Sequence, residues 1–287
     1  MRNPNRNPSR LCSGRLLRRA PFLLSCVTAA RTFFLICFLL FSLPTHAQTL
    51  RIAAASDLQF ALPDLAAQYE KQSGVKLAIT YGSSGNFFAQ IQNGAPFDVF
   101  LSADVSYPHK LVLAHLADIS SLEVYGVGHL VLWLPPDSPL EPSAGLKILL
   151  DPRIQKIAIA NPDHAPYGRA AVAALRDAGL YDQLKPKLVY GENISQAAQF
   201  VQSGSAQAGL LAHSLTFSPA MKSGKFWAIP ADKYPAVEQT AVSLTASSNK
   251  QAAMSFLDFL RTPTARAALE RYGFSLPPAA PAAKHKL

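Results

Sequence analysis

Residues 50–57 read LRIAAASD, and residues 75–85 read VKLAITYGSSG. Each is a short apolar run closed by small polar residues, after which the hydrophobic spacing changes from that of a strand to that of a helix. The first run predicts a strand over 50–55 and a helix that ends at Ser73, before Gly74. The second predicts a strand over 75–81 and a helix over 85–93. The same grammar recurs at 97–101 (FDVFL, helix from about 105), 156–160 (KIAIA, helix over 168–178) and 188–190 (LVY, helix over 195–202). Further strands are expected at 128–134, 209–212, 226–229 and 240–245, with helices filling 250–272. Strand–helix alternation of this kind predicts an α/β fold of open, mostly parallel sheets flanked by helices. Such sheets take ligands at the carboxyl ends of their strands.

Four of those strand ends share a chemistry. They are Ser56-Asp57, then Gly82 to Asn86 (GSSGN), then Asn161 to Gly168 (NPDHAPYG), then Gly191 to Ile194 (GENI). Each opens a helix, whose first N–H groups lack intrahelical partners and carry partial positive charge. One such end is a plain cap worth about 1 kcal/mol. Four facing one crevice make a cage of donors for an anion. No Lys or Arg lies in these junctions before Arg169. There is no phosphate-binding Gly-x-x-x-x-Gly-Lys loop, no Gly-x-Ser-x-Gly elbow and no His-Glu-x-x-His pair. The expectation is reversible capture of an anion, with no catalytic residue, no cofactor and no free metal cation. A secreted serine hydrolase using Ser84 is the remote alternative, and it lacks a recognisable base.

The charge reads differently once it is divided. The 287 residues carry 27 basic and 18 acidic side chains, a net +9. Seven of those arginines and all three cysteines fall in 1–47, which has no acid; the remainder holds 20 basic against 18 acidic, a net +2. An Arg-rich start, an apolar run at 32–43 and Thr45-His46-Ala47 predict a signal peptide over 1–47, cut after Ala47. The cysteine-free remainder excludes a disulfide scaffold, a thiolate metal site and a Cys nucleophile. The Pro/Ala/Lys stretch 278–287 is expected to be a flexible tail.

Taken in order, 53–58 (AAASDL), 81–85 (YGSSG), 94–104 (GAPFDVFLSAD), 161–170 (NPDHAPYGRA) and 271–274 (RYGF) resemble the periplasmic molybdate-binding proteins of ABC transporters. The resemblance runs from about residue 50 to 274. It implies a two-lobed type II periplasmic binding protein, with lobe one at 48–127 plus 236–277 and lobe two at 128–235. It implies an oxyanion, molybdate or tungstate, held between the lobes and passed to an inner-membrane permease with its ATPase. The protein would be monomeric and periplasmic, with no nucleic-acid partner. Sulfate, phosphate or another small anion is the alternative ligand. The family pattern places hydroxyl donors at Ser56 and Ser84, with Ser83 beside the latter, and backbone donors at Tyr167, Ile194 and Asp57. Some relatives add a Tyr hydroxyl after the strand near 208–211; here that place is Ala212, so His213 or the Asp57 amide would substitute. The Asp57 carboxylate, which would repel a dianion, is expected to cap the helix. His164 is expected to brace its loop.

Overall fold

The computed structural model describes residues 49–277. The expected signal peptide and tail lie outside the described residues. Ten strands form two five-stranded sheets among those residues. The first sheet contains β1 (Thr49–Ala55), β2 (Lys76–Gly82), β3 (Val99–Ser102), β4 (Glu123–Gly128) and β10 (Val237–Ser243), in the order β2-β1-β3-β10-β4. The second contains β5 (Leu130–Leu134), β6 (Ile157–Ala160), β7 (Leu188–Gly191), β8 (Ala208–Ala212) and β9 (Lys225–Ala228), in the order β7-β6-β8-β5-β9. The helices are α1 (Ala61–Ser73), α2 (Ser84–Gln92), α3 (Ser106–Leu113), α4 (Pro166–Asp177), α5 (Tyr181–Leu184), α6 (Ile194–Gln202), α7 (Lys250–Leu260) and α8 (Pro263–Arg271).

Both sheets are mixed, and less parallel than the alternation predicts. β1 runs parallel to β2 and β3, whereas β10 is antiparallel to β3 and β4. β6 is parallel to β7 and β8, whereas β5 is antiparallel to β8 and β9. The antiparallel members are the strands that carry the chain between sheets, outside the strand–helix–strand units that force parallel pairing. The chain leaves the first sheet between Gly128 and Leu130 and returns between Ala228 and Val237.

β1 shows why the first sheet forms here. Its side chains alternate between faces. Leu50, Ile52 and Ala54 pack with Leu62 and Leu65 of α1, Phe256 of α7 and Leu269 of α8. Ala53, on the other face, packs with Phe87 and Ile91 of α2 and Leu111 of α3. A strand buried on both sides reads as a continuous apolar run, as 50–55 does. The second sheet packs Leu130–Leu134, Ile157–Ala160 and Ala208–Ala212 against Ala171, Leu175, Ala198 and Val201.

Asp98, directly before β3, ties down the beginning of β1. Its fully buried carboxylate accepts the Arg51 amide at 2.8 Å, Arg51 Nε at 3.2 Å and Ser247 Oγ at 2.8 Å. Removing that acceptor strands the buried Ser247 hydroxyl and the part-buried Arg51 amide. Asp98→Ala should therefore lower the unfolding free energy by about 2–4 kcal/mol. Urea denaturation checks this, and a loss under about 0.5 kcal/mol, the scale of an ordinary surface change, would remove Asp98 from that role.

Candidate functional site

The junctions after β1, β2, β6 and β7 meet between the two sheets. They line a half-open cavity of about 10 Å³, room for about one water molecule with the halves this close, walled by Ser56, Asp57, Ser83, Ser84, Tyr167 and Ile194, with small residues such as Ala55 and Ala103 between them. Hollows of about 450 and 630 Å³ elsewhere, beside His115 and beside Trp133, gather none of these helix starts.

The hydrogen bonds show which donors remain to be used. Ser84 opens α2, and its Oγ accepts the Ala103 N–H at 3.0 Å. A hydroxyl that accepts there keeps its own proton to donate. Tyr167 and Ile194 lie in the first turns of α4 and α6, where a backbone N–H has no carbonyl of its own helix to reach. Asn193 caps α6 by accepting the Gln196 N–H at 3.1 Å, and the same Oδ1 receives Ser56 Oγ at 3.2 Å.

Ser83 is placed differently from its neighbour. Its hydroxyl is 2.8 Å from the His164 carbonyl and 2.8 Å from His164 Nδ1. Ser83 thus lines the cavity but spends its hydroxyl on the facing loop. His164 braces that loop to the other sheet.

The Asp57 side chain departs from the sequence expectation. It does not cap the turn at Ser56–Leu58, which has no side-chain cap. Its carboxyl is fully buried and receives the Tyr167 hydroxyl at 3.0 Å and Gln239 Nε2 at 2.8 Å, both on Oδ2. Oδ1 has no well-formed hydrogen bond. Burial pushes this carboxyl up from 3.8 to about 7, against the opposing pull of those hydrogen bonds. Turn geometry explains the departure: after a single 3-10 turn the side chain is buried against Tyr167 and Gln239, with the Asp57 and Leu58 amides also acting on its carboxyl. Gln239 was not singled out from sequence; in β10, VEQTAVS, it is one of four polar residues and carries no distinguishing signal.

His213 lies outside the cavity lining. Its ring packs on Phe217 and Phe226, with centroids 5.2 and 5.0 Å away, so it supplies no donor beside Ile194 or Tyr167. Ala212 ends β8 with no hydroxyl to offer.

Contacts between the two halves surround the cavity. Gly85 N–H donates to the His164 carbonyl at 2.9 Å. Ser195 Oγ lies 3.0 Å from the Ser56 carbonyl oxygen and 2.6 Å from Gln59 Oε1, with one proton to share between them. Ser214 Oγ donates to the Asp57 carbonyl at 2.7 Å. Asn86 meets Glu192, and Arg169 meets Asp104 and the Tyr107 hydroxyl. Among the described residues, no group of three or more His, Cys, Asp or Glu is placed to hold a metal ion.

Residues 50–275 match the family model of the bacterial extracellular solute-binding proteins. The chain belongs to that family. Within it, this solute-binding protein is 38% identical to the molybdate-binding protein ModA of Azotobacter vinelandii over 232 residues, 80% of this chain and 91% of that one. It is 36% identical to ModA of Rhodobacter capsulatus over 233 residues, covering 81% and 90% of the two chains. The solved structure of the Azotobacter vinelandii periplasmic molybdate-binding protein superposes with a TM-score of 0.75 at 36% identity, over 79% of this chain and 99% of that one. Two mixed sheets meeting at a cleft are the two-lobed α/β architecture of a periplasmic solute-binding protein. Such a protein carries a solute and turns nothing over.

Two outcomes follow for a solute-binding protein closed in this way. A Cβ at Gly85 would sit 2.6 Å from the His164 carbonyl oxygen across the cleft. Gly85→Ala should hold the lobes apart and enlarge the radius of gyration by small-angle scattering; an unchanged profile would count against this contact as a closing point. The second concerns pH. With its carboxyl at about 7 when folded and 3.8 when exposed, Asp57 favours the fold most at low pH, and that contribution fades as pH rises through about 7. Unfolding free energy should fall by up to about 4 kcal/mol between pH 4 and 8 from this group. Asp57→Asn should flatten that slope in urea titrations.

Proposed function

We propose that this protein captures molybdate, and tungstate with it, in the cavity between its lobes. The observation that carries the reading is the convergence of uncharged donors from both sheets, the Ser84 hydroxyl with the Tyr167 and Ile194 amides, and the Ser56 hydroxyl once it turns from Asn193, in a chain 36–38% identical to two molybdate-binding proteins. The Asp57 amide is the fifth donor of the set. Hydrogen bonds to an ionised acceptor are short and strong, so several can replace a dianion's hydration shell. Its negative charge is matched by helix starts rather than by a cation.

In this reading lobe one is 48–127 with 236–277, and lobe two is 128–235. The strand ranges of the two sheets support that division, with the hinge at Gly128 and near Tyr234. The anion docks on one lobe, the other swings over it, and contacts such as Gly85 to His164 close the cleft. The signal peptide is removed after Ala47, the protein works in the periplasm as a monomer, and an ABC permease with its ATPase takes the cargo. Ser84 as a hydrolase nucleophile finds no support: its Oγ bonds the Ala103 amide, and the nearby His164 imidazole bonds Ser83 instead.

Calorimetric titration of residues 48–287 with molybdate, tungstate, sulfate and phosphate tests the reading. Tight binding of the first two with weak sulfate and phosphate is expected. Tight sulfate or phosphate with no molybdate binding would replace the ligand. Ser56→Ala and Ser84→Ala should each weaken molybdate by roughly 10- to 100-fold, the loss of one hydrogen bond to a charged group. If neither variant weakens binding, the cavity is the wrong place.

A further inference from the structure

Asp57 is an acid buried in a cavity read above as an anion site, and its hydrogen bonds are lopsided. Both side-chain donors, the Tyr167 hydroxyl at 3.0 Å and Gln239 Nε2 at 2.8 Å, bond the same oxygen, Oδ2. Oδ1 is buried without a well-formed hydrogen bond, with only the nearby Asp57 and Leu58 amides acting on the carboxyl, on a residue that lines the cavity. Ser214 is spent on the Asp57 backbone carbonyl and offers the carboxyl nothing. The titratable groups facing the carboxyl are Tyr167 from α4 and Tyr125 from β4, with Tyr234 of the return crossing next to Tyr167. Among the described residues, no Lys, Arg or His acts on it.

Ionised, this carboxylate would set a negative charge beside a bound dianion with no counter-charge, which a buried site penalises heavily. Protonated, it has one O–H to place. Oδ2 already accepts two hydrogen bonds, which leaves Oδ1 as the oxygen that carries the proton. We propose that Asp57 is a specificity-determining donor: it takes up one proton from solvent as the anion binds and presents Oδ1–H to an anion oxygen. One O–H bond forms, on the carboxylate, and the anion itself is chemically unchanged. The proposal rests on the cavity being the oxyanion site. Burial already holds the proton at about neutral pH, so little further bias is needed.

The consequence is a preference set by protonation state. A fully deprotonated tetrahedral dianion offers only acceptors and pairs with the neutral acid. Hydrogen phosphate brings its own O–H and would pair with ionised Asp57, with no proton taken up.

The test is calorimetric titration of residues 48–287 with sodium molybdate at pH 7.5 and 8.5, in Tris and in HEPES. The expected heat differs between buffers, reporting uptake that approaches one proton per anion, and affinity falls by up to about tenfold per pH unit above 7. Asp57→Asn keeps an N–H donor but cannot titrate, so its heat should be independent of buffer and its affinity flat with pH. Tyr167→Phe removes a donor that favours the ionised form, so its fall in affinity should move to higher pH. Tight molybdate binding without proton uptake would overturn this inference and leave the proposed function standing. Uptake that persists unchanged in Asp57→Asn would assign it to another group and overturn it too. Absence of molybdate binding altogether would remove the proposed function and this inference with it.

Discussion

A backbone N–H at the start of a helix must find an acceptor outside its helix, and this constraint organises the cleft. Three helix starts, at α2, α4 and α6, and the 3-10 turn Ser56–Leu58, which stands where the sequence predicts a helix start, face one another across it. Their partial positive ends repel unless oxygen atoms stand between them. The two halves supply those oxygens to each other. His164 of the second sheet's loop offers its carbonyl to Gly85 and Ser83, and Ser56 of the first offers its carbonyl to Ser195. Closing is thus an exchange of donors and acceptors between lobes, and each lobe alone leaves its helix starts to water. A bound oxyanion extends the same exchange, because its oxygens are acceptors for the donors that the protein leaves over.

The same constraint explains why no cation is needed at the centre. The nearest arginine, Arg169, follows the Tyr167 junction directly but turns to Asp104 and the Tyr107 hydroxyl across the cleft. Its charge serves closure at the rim and is already matched by a carboxylate. A salt bridge to the ligand would bind many anions of one charge alike, whereas fixed N–H and O–H groups select by shape and by the absence of ligand protons. The near balance of charge outside residues 1–47 is consistent with that division of labour.

Much of this was legible in the sequence. The runs at β1, β3 and β6 are buried apolar segments, β2 is a half-exposed edge strand, and the small polar residues after β1, β2, β6 and β7 are the ones that meet at the cavity. β4 was missed because its six residues, EVYGVG, include two glycines and an acid, and it is held as an edge strand by β10. The antiparallel half of each sheet was equally hidden, since strand direction follows from where the chain crosses between lobes. Asp57 shows the limit most plainly. An Asp after a strand reads as a cap, and only the long-range arrival of Tyr167, 110 residues on, and Gln239, 182 residues on, turns it inward.

Tyr167 joins these levels. Its backbone lies in the first turn of α4 at the cavity, its hydroxyl bonds Asp57, and the same hydroxyl fills the space above Gly128, where the chain crosses between lobes. Any side chain at Gly128 would collide with it. One residue therefore touches the proposed anion site, the buried acid and the crossover together. A change in Asp57 protonation alters the acceptor on which the Tyr167 hydroxyl rests, and that hydroxyl is packed against the crossing strand. In a densely packed interior such a shift has little slack to absorb it. On the proposed site, anion and proton would both bear on the crossing strand through this contact, which needs glycine at 128 to exist.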